Sequence, residues 1–211
     1  MAMLLSVNRA RPRRIPGYKA LTGICKEPVA GPVAIGPQGL EDDAILDRQH
    51  HGGSEQAVYI YFQEDYDWWA GELAAPPAPG LFGENLTISG ASSATAAIGD
   101  RFAIGEVVLE VTAHRTPCAT FSARMGDPQW AKRFYRANRP GAYCRVIRPG
   151  EAEAGMTVAI APFAGERITM AELMAQDGLK DIPRDFMRRA LTTPIREKTR
   201  FKYETKLASL F

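Results

Sequence analysis

The stretch GDRFAIGEVVLEVTAHR (Gly99–Arg115) holds two strand-like segments separated by a glycine. In the second segment, apolar residues at every second position from Val107 to Val111 alternate with a set that includes Glu106 and Glu110. A period of two residues is typical of a β-strand, in which successive side chains point to opposite faces. We therefore predict two strands joined by a short turn, the second with one wetter face.

Similar segments lie on both sides of this stretch. MLLSV, NLTISG and GAYCRVIRPG are strand-like, and AVYIYF (Ala57–Phe62) is apolar on both faces, which predicts a buried strand. Two segments favour helices, QEDYDWWAGEL and DPQWAKRFYRAN, the second with Asp127 as N-cap and Pro128 in its first turn. Because strands and helices do not alternate regularly, we predict a mainly β fold, a barrel or sandwich with a few short helices.

The character of the chain changes after Pro162. TMAELMAQDG carries a capping box, Thr169 with Glu172, and two later segments begin with helix-compatible prolines. We predict a barrel domain over 1–162 and a helical extension of about three short helices over 163–211. The extension either packs against the barrel or forms a small module of its own.

The overall composition excludes several classes of protein. A net charge of +2 gives no reason to expect nucleic acid as a partner, despite the basic segment RARPRR. The apolar run at the start is too short for a secretory signal, and no stretch is long enough to cross a bilayer. Three cysteines do not suggest a disulfide framework. We expect a cytoplasmic protein with no membrane partner.

Four polar segments are poor choices for a core and lie at predicted strand ends or loops. They are GLEDD (39–43), HHGGSEQAV (50–58), FGENLT (82–87) and HRTPC (114–118). Strand ends on one rim of a barrel converge in space, so these segments are candidates for a binding site. Their glycines allow close backbone approach, loop N–H groups can hold phosphate oxygens, and Asn85 can bond an amide-bearing heterocycle.

Cys118 is the candidate for chemistry. It follows Pro117 at the end of a strand, whereas Cys25 and Cys144 are predicted to be structural. A nearby cation such as Arg115 favours the thiolate form, and a thiolate is a nucleophile and a soft metal ligand. The residues alone favour chemistry at Cys118 only slightly over packing.

Taken in order, GLEDD, HGG…AV, FGENLT, IGDRF, RTPC and GAYCRVIRPG…AG resemble the MOSC family, the molybdenum cofactor sulfurase C-terminal domain proteins, over roughly residues 3–160. The helical tail is similar to that of stand-alone bacterial members linked to resistance to N-hydroxylaminopurines. The resemblance implies a β-barrel that binds the pterin form of molybdenum cofactor. It also implies reduction, and hence detoxification, of N-hydroxylated compounds with electrons from a separate reductase.

The resemblance also assigns roles to residues. It implies that Cys118 is catalytic and ligates molybdenum, with Arg115 either neutralising the cofactor phosphate or favouring the Cys118 thiolate. The cofactor-binding candidates carried over are His51, Gly52, Gly53, Gly83, Glu84, Asn85 and Arg115. Pyridoxal phosphate is not expected, because the domain that binds it in the fused relatives is absent. One departure is Asp42 in GLEDD, where the family commonly has glycine.

Two alternatives stay open at this point. One is a non-catalytic carrier of sulfur or of molybdenum cofactor that uses a persulfide on Cys118. The other is a nucleic-acid-binding barrel, which the small net charge disfavours. A homodimer is possible, and the basic last helix is a candidate docking face for an acidic reductase.

Overall fold

A computed structural model of the chain describes residues 1–46 and 52–209. The strands are β1 (Ala2–Arg9), β2 (Arg13–Ile15), β3 (Tyr18–Thr22), β4 (Glu27–Pro28), β5 (Val33–Gly36), β6 (Gly39–Leu40), β7 (Val58–Phe62), β8 (Leu86–Ile88), β9 (Arg101–Ile104), β10 (Val107–His114), β11 (Ala142–Arg148), β12 (Gly150–Ala152) and β13 (Thr157–Ala161). The helices are α1 (Gln63–Ala70), α2 (Ala119–Met125), α3 (Trp130–Ala137), α4 (Met170–Ala175), α5 (Arg184–Leu191) and α6 (Glu197–Ala208), and a 3-10 turn covers Ser54–Gln56.

Seven strands close into a barrel in the order β13-β9-β10-β11-β7-β8-β1, and β1 pairs again with β13. Closure occurs where Ala2 lies opposite Val158 and Met3 opposite Thr157. The β7–β8 pair is parallel, and the other pairs in the ring are antiparallel. A closed barrel leaves no long unpaired edge. The prediction of a mainly β barrel is therefore confirmed.

Strand β7 is buried on both faces, as its sequence predicts. Val58, Ile60 and Phe62 point into the barrel and join its apolar core. Tyr59 and Tyr61 point outward into a second cluster, which contains aromatic residues of α1, α2 and α3. Two cores on opposite sides of one strand explain why the segment lacks the alternation of a half-exposed strand.

The wetter face predicted for Glu106, Val108 and Glu110 is confirmed at its start, where Glu106 is exposed and Val108 half-buried, and is wrong at Glu110. Glu110 is 7% exposed and Thr112 is fully buried. Glu110 accepts a hydrogen bond from Arg101 Nε at 2.9 Å. The Thr112 hydroxyl donates to the carbonyl of Glu55 at 2.5 Å, and the backbone carbonyl of Thr112 accepts from the N–H of Arg196. The 3-10 turn and the helical tail therefore cover the face that the periodicity leaves open.

The helix predicted from Asp127 begins later than expected. Helix α3 starts at Trp130, and the Asp127 carboxylate instead accepts the N–H of Gln129 at 2.8 Å. This contact closes a local turn before the helix, as aspartate side chains often do. The N-cap predicted for α4 is confirmed, since the Thr169 hydroxyl accepts the N–H of Glu172 at 3.1 Å.

The tail forms α4, α5 and α6, which agrees with the predicted short helices. Their apolar side chains, including Leu173, Met187 and Tyr203, belong to the same buried cluster as the barrel interior. The tail is therefore packed against the barrel. Among the residues described, no helix is both long enough and apolar enough to cross a membrane.

Candidate functional site

A cavity of about 230 Å³ opens at one rim of the barrel. It brings together three of the four polar segments singled out in the sequence, GLEDD, FGENLT and HRTPC, with Gly52, Gln56 and Ala57 from the fourth. The described residues that line it are Tyr18, Ala20–Ile24, Lys26, Asp43–Leu46, Gly52, Gln56, Ala57, Tyr59, Gly83, Asn85, Arg115, Cys118, Thr120 and Tyr143. The expectation that strand ends and loops converge is therefore met.

Cys118 lies on the wall of this cavity and is half-buried. Strand β10 ends at His114, and three further residues lead to Cys118, which is the N-cap of α2 with extended backbone. Helix α2 was not predicted from the sequence. The signal that could have revealed it is the glycine that ends it, because Gly126 adopts a left-handed φ of 65°. Cys25 and Cys144 are buried free thiols, in keeping with a structural role.

Arg115 is the cation of the site and is only 4% exposed. Its guanidinium carbon lies 4.3 Å from the centre of the Phe121 ring and 5.2 Å from that of Tyr59. Within the described part of the chain it forms no salt bridge, and its Nε lacks a hydrogen-bond partner. Burial lowers the pKa of Arg115, but nearby Tyr143, Tyr59, Cys118 and Glu84 more than offset this.

The guanidinium therefore stays charged, and a buried charge without a counter-ion is costly. Such a side chain at a cavity wall is suited to an anionic group. Tyr143, on the same wall, has a pKa raised by burial, although Arg115 opposes that shift. Its phenol is protonated at neutral pH and can donate a hydrogen bond.

A second cation, Lys26, was missed by the sequence reasoning. Its ammonium group forms a buried ion pair with Asp43, the last acid of GLEDD. Asp43 also accepts a hydrogen bond from Asn85 Nδ2 at 2.8 Å, and Asn85 Oδ1 accepts from the N–H of Tyr59 at 3.1 Å. Burial lowers the pKa of Lys26, and the carboxylate of Asp43 opposes that shift. The network fixes Asn85 at the cavity wall.

Some glycines of the motifs line the cavity and others do not. Gly52 and Gly83 line the cavity with φ of 77° and 76°. A Cβ on Gly83 would lie 3.2 Å from Ile24 Cγ1 and 3.6 Å from a terminal nitrogen of Arg115. Gly53, with φ of 83°, is not among the lining residues, and His51 lies outside the described residues. Gly83 therefore permits the positive φ of this turn and its close approach to Ile24.

A model of the MOSC domain matches residues 47–159, more than half of the chain. The chain belongs to the MOSC domain family. It is 32% identical over 154 residues to YflK of Bacillus subtilis (strain 168), covering 72% of this chain and 70% of YflK. It is 31% identical over 139 residues to YiiM of Escherichia coli (strain K12), covering 63% and 61%. A protein of Gibberella moniliformis named "Reductase" is 33% identical over 165 residues, covering 75% of this chain and 29% of that protein.

Solved structures of this family share the fold. The crystal structure of YiiM from Geobacillus stearothermophilus has a TM-score of 0.81 at 24% identity, covering 98% of this chain and 100% of that one. The crystal structure of YiiM from Escherichia coli has a TM-score of 0.76 at 23% identity, covering 100% and 94%. These likenesses extend over the helical tail as well as the barrel.

Glu84 and Asp42 are two further motif residues that do not line the cavity. Glu84 is fully buried beneath it, and its Oε1 accepts hydrogen bonds from the Tyr66 hydroxyl, the N–H of Gly80 and the Thr87 hydroxyl. Direct cofactor binding by Glu84 stays a prediction, and its contacts support the loop that carries Gly83 and Asn85.

Asp42 has a left-handed φ of 56°, the conformation that explains the family's common glycine at this position. Its side chain is 85% exposed and lies 3.8 Å from Arg9. The added negative charge is therefore directed to solvent, and Asp42 is absent from the cavity lining.

Proposed function

We propose that this MOSC protein is a molybdenum-cofactor-dependent oxidoreductase that reduces N-hydroxylated compounds, hydroxylaminopurines among them. The observation that carries the proposal is one cavity holding both the Cys118 thiol and the buried Arg115 guanidinium, which forms no salt bridge among the described residues. Membership of the MOSC family supports molybdenum cofactor as the bound group. The name of the Gibberella relative supports oxidoreductase chemistry as the class of reaction.

The residues present fit such a cofactor. Cys118 supplies a thiol, and thiolate sulfur is a suitable ligand for a soft transition metal. Arg115 supplies the buried positive charge that a phosphate group needs, and its planar guanidinium can bond two phosphate oxygens. Asn85 keeps one amide hydrogen beyond the one donated to Asp43, so it can bond a polar heterocycle. Gly52 and Gly83 let a ligand approach the backbone closely.

The proposed reaction breaks the N–O bond of the substrate. A hydroxylamine takes up two electrons and two protons and leaves as an amine and water. The bound cofactor supplies the two-electron redox centre, and a separate reductase supplies the electrons. Cys118 holds that centre at the cavity wall, and Arg115 and Asn85 orient it.

Tyr143 is in place to donate a hydrogen bond to the substrate oxygen, because it lines the same cavity and its phenol stays protonated. The apolar side chains of Leu21, Ile24 and Ile45 line part of the remaining wall and offer apolar contact to a bound ligand.

The experiment is a comparison of metal and pterin content after expression with molybdate. We expect stoichiometric molybdenum and pterin fluorescence in the wild type and their loss in Cys118→Ala. Cys25→Ala is the matched control, because Cys25 is buried away from the cavity lining. The loaded protein should then reduce 6-hydroxylaminopurine with a reduced viologen dye, and Cys118→Ser should not.

Two outcomes would contradict the proposal. Loaded protein that leaves hydroxylaminopurine unchanged would refute the reductase function. Folded wild type without molybdenum, together with a sulfur adduct on Cys118 that reductant removes, would favour the carrier function instead.

A further inference from the structure

A second cavity, of about 190 Å³, lies between the end of β10 and the helical tail. His114 lines it, whereas the next residue, Arg115, lines the first cavity. Successive side chains of an extended chain point to opposite sides, so the two cavities lie on opposite sides of this segment. Leu173 and Tyr203 form the apolar part of the second cavity.

This cavity carries excess positive charge. Arg196, Lys198 and Lys202 all line it, and within residues 1–46 and 52–209 none of the three forms a salt bridge. The one carboxylate in the lining is Asp177. Its Oδ2 is already contacted by His114 Nε2 and by the hydroxyls of Thr116 and Tyr135, which lie outside α6. Three cationic side chains and one carboxylate leave the described lining with an excess of about two positive charges. Lys198 and Lys202 are four residues apart on α6, a spacing at which like charges repel.

The hydrogen bonds around the cavity hold it in place. Arg196 donates its backbone N–H to the Thr112 carbonyl at 3.1 Å and its Nε to the Thr199 hydroxyl at 3.0 Å. These contacts hold the guanidinium at the first turn of α6. The cationic wall is therefore formed in advance of any ligand.

His114 adds a buried polar atom to the same cavity. Its side chain is 6% exposed, and its Nε2 lies 3.3 Å from Asp177 Oδ2. Burial lowers the pKa of His114, so the ring is neutral at physiological pH and Nε2–H donates to the carboxylate. Nδ1 has no hydrogen-bond partner among the described residues and is fully buried, so it does not reach the open space of the cavity.

We propose that this second cavity binds a phosphate group. Arg196, Lys198 and Lys202 would neutralise its charge, and the Thr199 hydroxyl would share in its hydrogen bonds. A volume of about 190 Å³ admits a phosphate group. The proposal does not depend on the identity of the group bound at Cys118.

The test is calorimetric titration of the purified chain with inorganic phosphate at constant ionic strength, with sulfate as the parallel titrant. We expect saturable binding of phosphate, and sulfate should compete for the same site because it has a similar shape and charge. Lys198→Ala/Lys202→Ala should weaken phosphate binding by about tenfold or more, because charge-assisted hydrogen bonds are lost. Both lysines are exposed, so the variant should fold.

The matched control is Lys180→Ala/Lys206→Ala, which removes the same charge. Lys206 lies on the same helix and donates to the carbonyl of Lys180, and neither lines the cavity. This control should bind phosphate as the wild type does. Equal binding by both double variants would place phosphate elsewhere, for instance at Arg115, and would overturn the proposal. Absence of saturable binding to the wild type would overturn it as well.

Two further titrations distinguish a nucleotide from free phosphate as the ligand. A nucleoside monophosphate that binds much more tightly than inorganic phosphate, and loses that advantage in Lys198→Ala/Lys202→Ala, would identify a nucleotide ligand. Equal affinities for the two would identify free phosphate, and the nucleoside alone should not bind.

Discussion

Replacing Glu84 by alanine removes the oxygen on which three buried donors converge. Glu84 Oε1 accepts from the Tyr66 hydroxyl and the Gly80 N–H at 2.6 Å and from the Thr87 hydroxyl at 2.9 Å. Each buried donor left without an acceptor costs about 1 to 3 kcal/mol. We therefore expect Glu84→Ala to lower the free energy of unfolding by at least about 3 kcal/mol.

Glutamine separates the loss of acceptor from the loss of charge. Glu84→Gln keeps an oxygen for the same donors, so we expect it to cost less than half as much as alanine. Burial raises the pKa of Glu84, although its hydrogen bonds oppose this. A carboxyl group with a raised folded-state pKa binds more protons in the folded state than in the unfolded state. Its contribution to stability therefore falls as pH rises from about 4.5 through the folded-state pKa, and Glu84→Gln should remove that fall.

The assay is urea unfolding followed by tyrosine and tryptophan fluorescence across a pH series. Glu64→Ala is the matched control, because Glu64 is exposed and, among the described residues, accepts only the N–H of Gly90, so it should cost less than about 1 kcal/mol. The reasoning is refuted if glutamine at position 84 costs as much as alanine. It is also refuted if alanine stays within 1 kcal/mol of the wild type.

Three further predictions concern the thiols, the barrel wall and the tail. Burial raises the pKa of Cys144, so iodoacetamide at pH 8 should leave Cys144 unmodified in the folded protein, as peptide mass spectrometry would reveal. Gly141→Ala should lower the free energy of unfolding by several kcal/mol more than Gly126→Ala, because its Cβ would lie 2.5 Å from a carbonyl oxygen whereas that of Gly126 meets no neighbour; equal losses in chemical denaturation would contradict this. Asp177 accepts a hydrogen bond from the hydroxyl of Thr116, which lies two residues before Cys118. Asp177→Asn removes the charge of this acceptor, so the alkylation rate of Cys118 should change at least twofold while far-ultraviolet circular dichroism is unchanged.

Much of the fold was predictable because it depends on local pattern. The opening stretch alternates with a period of two residues, and it forms the neighbouring strands β9 and β10 of the barrel. Ala57–Phe62 is apolar on both faces because β7 separates two cores. Thr169 caps α4 through a bond to a residue three positions away. Each of these features is encoded within a few neighbouring residues.

The errors occurred where distant segments meet. Glu110 was predicted to lie on a wetter face but is buried, and the 3-10 turn and the tail cover the nearby Thr112 from positions far away in the chain. Helix α2 was missed because its short sequence gives no clear apolar period. A local pattern carries no information about which remote segment will cover it.

The candidate site also combines residues that the sequence predicts with features that only the tertiary structure shows. The sequence by itself singled out Cys118 by its place after Pro117 at the end of a strand, Arg115 as a nearby cation, and the glycine motifs by their place at strand ends and loops. Only the tertiary structure brought Lys26 against Asp43 and buried Arg115 beside two aromatic rings, with no salt bridge among the residues that the structure describes. Whether a charge is paired, and how strongly it is desolvated, depends on the closed barrel as a whole, because both are set by atoms that are distant in sequence.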